Sequence, residues 1–267
     1  MPEMLWLLLM CLALGAVVGL LAGLLGIGGG LLIVPALVWL LPHVGIDTAL
    51  VMHIALATSL ACIVLTSGSS ARSHLRLGNV DVSLVKLLAP GMVLGGLAGS
   101  AVAEWVPSAW LPKIFAGIVL LLALQMLLSL KVTGRHPHPL PGGAKIVGSG
   151  SVIGLVASLA GIGGGSLTVP YLSWYGVEMR RAIGTASFCG SIIAVAGMTG
   201  FIVAGSGDEA LPAYSVGYVY LPALLGVVCT SVLTTRFGAR LVSRLPTPTL
   251  KKIFAIFLLF VGGKMLF

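Results

Sequence analysis

Residues 19–40 read GLLAGLLGIGGGLLIVPALVWL, and residues 154–175 read GLVASLAGIGGGSLTVPYLSWY. Set against each other at an offset of 135, 14 of 22 positions are identical, among them the whole GIGGG, Pro35 with Pro170, and Trp39 with Trp174. The match continues at an offset of 127, where Met52, Ala55, Thr58 and Cys62 face Met179, Ala182, Thr185 and Cys189. Near the ends of the halves, Leu111, Lys113, Ile114, Phe115 and Ala116 face Leu250, Lys252, Ile253, Phe254 and Ala255. One unit has been built twice. The chain is therefore a single domain, 1–267, made of repeat one (1–130), a polar Pro- and Gly-rich linker (131–145) and repeat two (146–267).

The solvent of that domain follows from composition. Of 267 residues, 58% are hydrophobic and only 8% charged, with a mean hydropathy of +1.13. A soluble domain carries about 25% charged residues, so this chain cannot cover a water-facing surface. A soluble enzyme, a disordered chain and a nucleic-acid-binding domain are excluded. What remains is an all-α polytopic membrane protein, and the 37 glycines suit closely approaching membrane helices. Apolar stretches run over 5–25, 31–41, 48–70, 82–103, 111–130, 146–160, 166–176, 181–204, 214–235 and 250–267. Met1-Pro2-Glu3 lacks the basic start of a secretory signal, so the first stretch is expected to be mature structure. The four cysteines, Cys11, Cys62, Cys189 and Cys229, sit inside apolar runs without metal-ligand spacing; neither a disulfide framework nor a metal or cofactor site is expected.

Two of the stretches in each half are joined by GIGGG. At about 1.5 Å per residue, 146–160 reaches about 22 Å and 166–176 about 16 Å, short of the roughly 30 Å hydrocarbon core. Each pair is read as a broken or re-entrant hairpin with GIGGG at its tip, followed by three transmembrane helices. If each hairpin enters and leaves on one side, 13 of the 15 Lys and Arg fall on one face of the membrane, and only Lys113 and Lys264 fall on the other. If each hairpin crosses once, that bias vanishes. The basic face is cytoplasmic, so the halves are inverted-topology repeats with both termini outside and the linker inside.

The two tips then approach the midplane from opposite faces. A new helix begins after each, at Leu31 and at Ser166, and its first amides lack intrahelical partners and carry the positive end of the helix dipole. Glycine leaves those amides uncovered, which makes Gly28, Gly29, Gly30, Gly163, Gly164, Gly165 and Ser166 candidates for holding an anion. No Asp, Glu, Lys or Arg falls at the centre of any span. The plain alternative is a sharp turn with close helix contact. On the next helix, Thr58 and Cys62, and Thr185 and Cys189, stand at i, i+4 on one face, where hydroxyl and thiol can donate to an anion or simply pack. Ser59 neighbours the same turn. His53 and Arg180, at matching positions, are expected near the two membrane interfaces, each able to attract an anion at a vestibule. The ladders Gly15-Gly19-Gly23 and Gly91-Gly95-Gly99 are read as helix-packing surfaces.

The paired G-x-G-G-G-x-x-x-V-P at 26–35 and 161–170, each followed by a span containing A-x-[AG]-T, resembles the sulfite exporter TauE/SafE family. The likeness extends over nearly the whole chain, including GARLVSRLPTPTLKKIF at 238–254, for which the first half has only Gly99-Ser100-Ala101-Val102 at the related place. What the resemblance implies is a multi-pass transporter of a bacterial or archaeal inner membrane, carrying sulfite or an organosulfonate in the sense of export. Its partners would be a small anion and the lipid bilayer, with no nucleic acid; homo-oligomerisation stays open. Alternating access by a secondary transporter competes with an anion channel and, more remotely, a membrane redox or enzyme subunit. The last would need converging His, carboxylate or paired Cys groups, which the sequence does not bring together.

Overall fold

The structure, a computed structural model, describes residues 2–25, 29–129, 141–241 and 247–266. The first half contributes α1 (Pro2–Leu25), α2 (Gly30–Leu40), a 3-10 turn at Leu41–Val44, α3 (Thr48–Arg76), α4 (Val82–Trp105) and α5 (Leu111–Ser129). The second contributes α6 (Ala144–Leu159), α7 (Gly165–Trp174), α8 (Met179–Ala204), a small antiparallel hairpin of β1 (Ser215–Val216) and β2 (Val219–Tyr220), α9 (Leu221–Leu241) and α10 (Thr247–Leu266). Met4–Ala22, Thr48–Arg76, Val82–Trp105, Leu111–Leu128 and Met179–Ala204 are long and apolar enough to cross a membrane. This is a multi-pass helical membrane protein.

Two expectations are corrected. The stretch 214–235 does not begin as helix: its first residues form the hairpin, with register Ser215 opposite Tyr220 and Val216 opposite Val219. Tyr218, Val219 and Tyr220 are as apolar as a helix start and therefore looked like one, but Gly217 at φ 52 turns the chain back instead. The helices after the tips begin at Gly30 and Gly165, one residue ahead of Leu31 and Ser166. The linker's 131–140 lie outside the described residues.

Local chemistry sets the helix ends. Asp47 caps α3 by accepting from the Ala49 amide at 2.9 Å, and Asp81 caps α4 by accepting from the Ser83 and Leu84 amides at 3.1 Å. Past the other end of α3, Gly78 takes the left-handed conformation (φ 69) and stops the helix. With 11 and 10 residues, α2 and α7 reach only about 15–16 Å, half of the hydrocarbon thickness.

The halves interlock. The first helix of each packs along the fourth of the other, α1 on α9 and α6 on α4, while α3 packs on α8 and α5 on α10. The glycine ladders make those long contacts. A Cβ on Gly15 or Gly19 would collide with the Val227 or Ser231 carbonyl of α9, and one on Gly91 or Gly95 with the Val147 or Ser151 carbonyl of α6. Thr230 adds an interhelical bond, its hydroxyl donating to the Leu12 carbonyl at 2.7 Å. A continuous apolar core, including Leu7, Ile33, Leu56, Phe115 and Phe201, runs through both halves. Large apolar side chains such as Leu121, Leu225 and Phe260 point outward, as a lipid-facing surface requires.

Candidate functional site

The two half-helices begin with the same backbone. Gly29 caps α2 at φ 74, ψ −13, and Gly164 caps α7 at φ 66, ψ −14, both left-handed. No side chain caps either helix. The Gly29 carbonyl takes the amides of Leu32 and Ile33 at 3.0 and 3.2 Å; the Gly164 carbonyl takes those of Leu167 and Thr168 at 3.1 and 2.8 Å. The second residue of each helix, Leu31 and Ser166, keeps an amide that the helix itself cannot use.

The tips meet in the interior. A Cβ on Gly30 would strike the Gly161 carbonyl and stand 2.8 Å from Ile63 Cδ1, while one on Gly163 would stand 2.6 Å from Ile63 Cγ2. Ile63 of α3 thus lies between the two tips. From the other side Gly190 of α8 abuts the Gly163 carbonyl so closely that a Cβ there would overlap it. Gly29, Gly30 and Gly161 to Gly165 are all buried. The sequence-selected tip residues other than Gly28, which lies outside the described residues, are therefore brought together. An apolar groove of about 980 Å³ lies to one side, between α1, α2 and α10, with Leu21, Leu32, Trp39 and Phe257 in its wall. Its wall is apolar apart from Lys264.

The neighbouring hydroxyls fall into two kinds. Thr58 and Thr185 are fully buried, and each accepts a backbone amide from the opposite half: Tyr220, just before α9, donates to Thr58 Oγ1 at 3.0 Å, and Asp81, just before α4, donates to Thr185 Oγ1 at 3.0 Å. Each threonine is thus a cap on a helix of the other half. Neither hydroxyl hydrogen has a protein acceptor among the described residues, so both stay free to donate. Ser59 Oγ donates to the Gly161 carbonyl at 2.8 Å and ties α3 to the second tip. By contrast, Ser158 Oγ, Ser166 Oγ and Thr168 Oγ1 are buried with no partner at all. Ser158 and Thr168 were not singled out by sequence; the signal was there, since the repeat alignment sets them against Gly23 and Ile33.

Cys62 and Cys189 are buried free thiols, and Cys11 and Cys229 are free as well. Among the described residues no three His, Cys, Asp or Glu converge as a metal site. Arg180 is exposed at the start of α8, whereas His53 is buried within the bundle, 5% exposed, with Nε2 3.1 Å from the Ala103 carbonyl.

Relatives place this architecture. A probable membrane transporter protein of Haemophilus influenzae is 45% identical over 261 residues, covering 97% of each chain. Probable membrane transporter proteins of Methanocaldococcus jannaschii and Bacillus subtilis are 26% and 28% identical, over 90% of this chain and 88% and 91% of theirs. No solved structure matches. The family model for the sulfite exporter TauE/SafE matches residues 11–265. With these relatives and two glycine-capped half-helices meeting in a helical membrane bundle, the chain is a membrane transporter rather than an enzyme, and it belongs to the TauE/SafE sulfite exporter family.

Proposed function

We propose that this protein is a secondary transporter that exports a small sulfur-containing anion, sulfite or an organosulfonate, across the inner membrane by alternating access. The observation that carries the reading is the meeting of two half-helix starts, each opened by a left-handed glycine, in the buried centre of the bundle. Both present the positive end of a helix dipole without a side-chain cap. Free donors lie on the elements that carry and flank them: the hydroxyls of Thr58 and Thr185 on α3 and α8, those of Ser166 and Thr168 in the opening turn of α7, and that of Ser158 near the end of α6. Hydrogen-bond donors without a fixed charge suit an oxyanion that must be released as readily as it is bound. Gly29, Gly30, Gly163, Gly164, Gly165 and Ser166 are assigned to this site, and Gly28, outside the described residues, joins them by its place in GIGGG; Ser59 fixes the second tip, and the buried Cys62 and Cys189 follow the threonines by one turn on α3 and α8. The burial of the tips speaks for a carrier with an occluded state rather than a channel. The reciprocal packing of α1 on α9 and α6 on α4 supports inverted repeats. The 13 to 2 division of basic residues supports termini outside and the linker in the cytoplasm.

The deciding experiment is a binding screen. Purified protein is heated with sulfite, thiosulfate, sulfoacetate, sulfate and taurine, and substrate-dependent stabilisation is read beside size-exclusion profiles. Stabilisation by the anions and not by zwitterionic taurine is expected; stabilisation by taurine alone ends the anion reading. Topology is checked in a cysteine-free background: an impermeant thiol reagent applied to intact cells should label position 209 and not position 138, and the reverse pattern would sink the inverted arrangement.

A further inference from the structure

Among the described buried polar residues, His53 is the one whose side-chain type changes charge between pH 5 and 8. It stands on the second turn of α3, five residues before Thr58 and six before Ser59, which holds the second tip. That separation is about 9 Å of helical rise. Its Nε2 lies 3.1 Å from the Ala103 carbonyl of α4. A carbonyl only accepts, so Nε2 carries the hydrogen, and the neutral ring turns Nδ1 into a bare lone pair. That Nδ1 is buried and has no partner.

The ring is covered by Tyr218 of the hairpin, stacked at 5.1 Å between centroids. Tyr218 in turn donates its hydroxyl to the Glu104 carboxylate, 3.2 Å away on α4. Burial first, and then the Glu104 charge, push the Tyr218 phenol up to about 12, so it stays a donor at neutral pH. Asp208 adds a second negative charge to this surroundings, while Phe201 of α8, edge-on to Tyr218, adds none. Among the described residues, the charges acting on Tyr218 are the acidic Glu104 and Asp208, and Glu104 is exposed, so the hairpin lies between the imidazole and an acidic stretch of the surface. The same hairpin supplies the Tyr220 amide to Thr58. One small element therefore covers the histidine and touches the proposed anion donor.

We infer that His53 is the proton-binding group of the transporter, taking a proton on Nδ1 as the anion occupies the tips, so that anion and proton are carried together. This rests on the anion reading given above. The balance is simple: when the Tyr218 ring swings off, a hydronium O–H bond breaks as the Nδ1–H bond forms, water leaves, and the imidazolium's positive charge offsets one negative charge of the anion. When the site opens to the other side, proton and anion both leave. Because binding is reciprocal, the anion must hold the proton as firmly as the proton holds the anion.

The test uses the full chain in lipid nanodiscs with ¹⁵N-labelled histidine, the other four histidines being removed to assign the ring. Signals are followed from about pH 5.5 to 8.5 with and without sulfoacetate, whose own charge is constant there. The expected result is an Nε2–H ring at high pH, a proton arriving on Nδ1 at lower pH, and a shift of that step to higher pH with sulfoacetate. Sulfoacetate affinity should strengthen by up to about tenfold per pH unit across the step in wild type and stay flat in His53→Gln, whose amide can still donate to the Ala103 carbonyl. An Nδ1 that stays bare over the whole range overturns the inference, as does the same affinity–pH profile in both proteins. Should His53→Gln fail to fold, the ring signal decides alone. If sulfoacetate binds neither protein, the anion reading has failed, and the ring signal still decides the proton.

Discussion

The two tips share a backbone and differ in what surrounds it. Gly29 and Gly164 have nearly the same φ and ψ, yet α2 continues with Leu31 and Ile33 where α7 continues with Ser166 and Thr168. The helix facing the first pair places Ile63 between the tips, whereas its repeat counterpart Gly190 leaves the Gly163 carbonyl in direct contact with bare backbone. Glycine at fixed positions sets the geometry in both halves; hydroxyls appear only at the second. The difference teaches that folding and recognition are divided between the repeats: either tip can open a helix, and the second carries most of the side chains able to hold an oxyanion.

That division can be broken. The largest effect should come from alanine at the left-handed glycines. In Gly164→Ala the new methyl group would stand 2.5 Å from Ile193 Cδ1, and in Gly29→Ala 2.5 Å from Val18 Cγ1, both at positive φ. Overpacking of this kind costs about 1–3 kcal/mol, with backbone strain added. Thermal unfolding should show both variants falling alike, and adding Ile193→Val to Gly164→Ala should restore only part of the loss. Tolerance of one glycine and not the other would show that the tips are not equivalent even as backbone.

Next come the threonines. Thr58→Val leaves the buried Tyr220 amide unpaired and Thr185→Val the part-buried Asp81 amide, at a cost of about 1–3 kcal/mol for the first and less for the second, and each removes a donor to the anion. Thr→Ser should recover stability and binding at both sites. Equal affinity for sulfite in the Val and Ser variants, by thermal shift, would return these residues to helix capping alone.

The smallest change in stability, and the sharpest test of the asymmetry, belongs to Thr168→Val. Its hydroxyl is buried and unpartnered, so its loss should leave the melting temperature unchanged or raised. Loss of a hydrogen bond to a charged group should still weaken sulfite binding by roughly tenfold or more. Ile33→Val, its counterpart in the first half, should cost about 0.5–1.5 kcal/mol of stability and leave binding untouched. If Thr168→Val binds like wild type, the second tip holds no special chemistry.

Much of this was readable in the chain because it is written in length and period. Apolar runs located the helices, the repeat located the tips, and glycines at i, i+4 located the faces that carry α1 on α9 and α4 on α6. What stayed hidden depends on contacts between distant residues. That His53, near a helix start, is buried could not be read from its surroundings in the chain, because the burial is made with Ala103 and Tyr218, some 50 and 165 residues away. Thr58 and Thr185 looked like donors on a helix face, and nothing in a spacing shows that each also accepts an amide from the other half. The hairpin at 215–220 was lost in an apolar stretch because aromatic and β-branched residues suit a membrane helix as well as a strand.

The interlocking of the halves has a consequence for how the protein is made. The Gly15 and Gly19 face of α1 is shaped to receive the Val227 and Ser231 backbone, which leaves the ribosome roughly 200 residues later. At about 5–20 residues per second, α1 must wait on the order of 10 to 40 s in the bilayer with its groove filled by lipid. Neither half can close on itself in that time, because each keeps the mating surface of the other. Assembly is therefore late, waiting for α9 to meet α1 and then for α10 to meet α5, and a chain cut in the linker should regain its structure only when both fragments share one membrane.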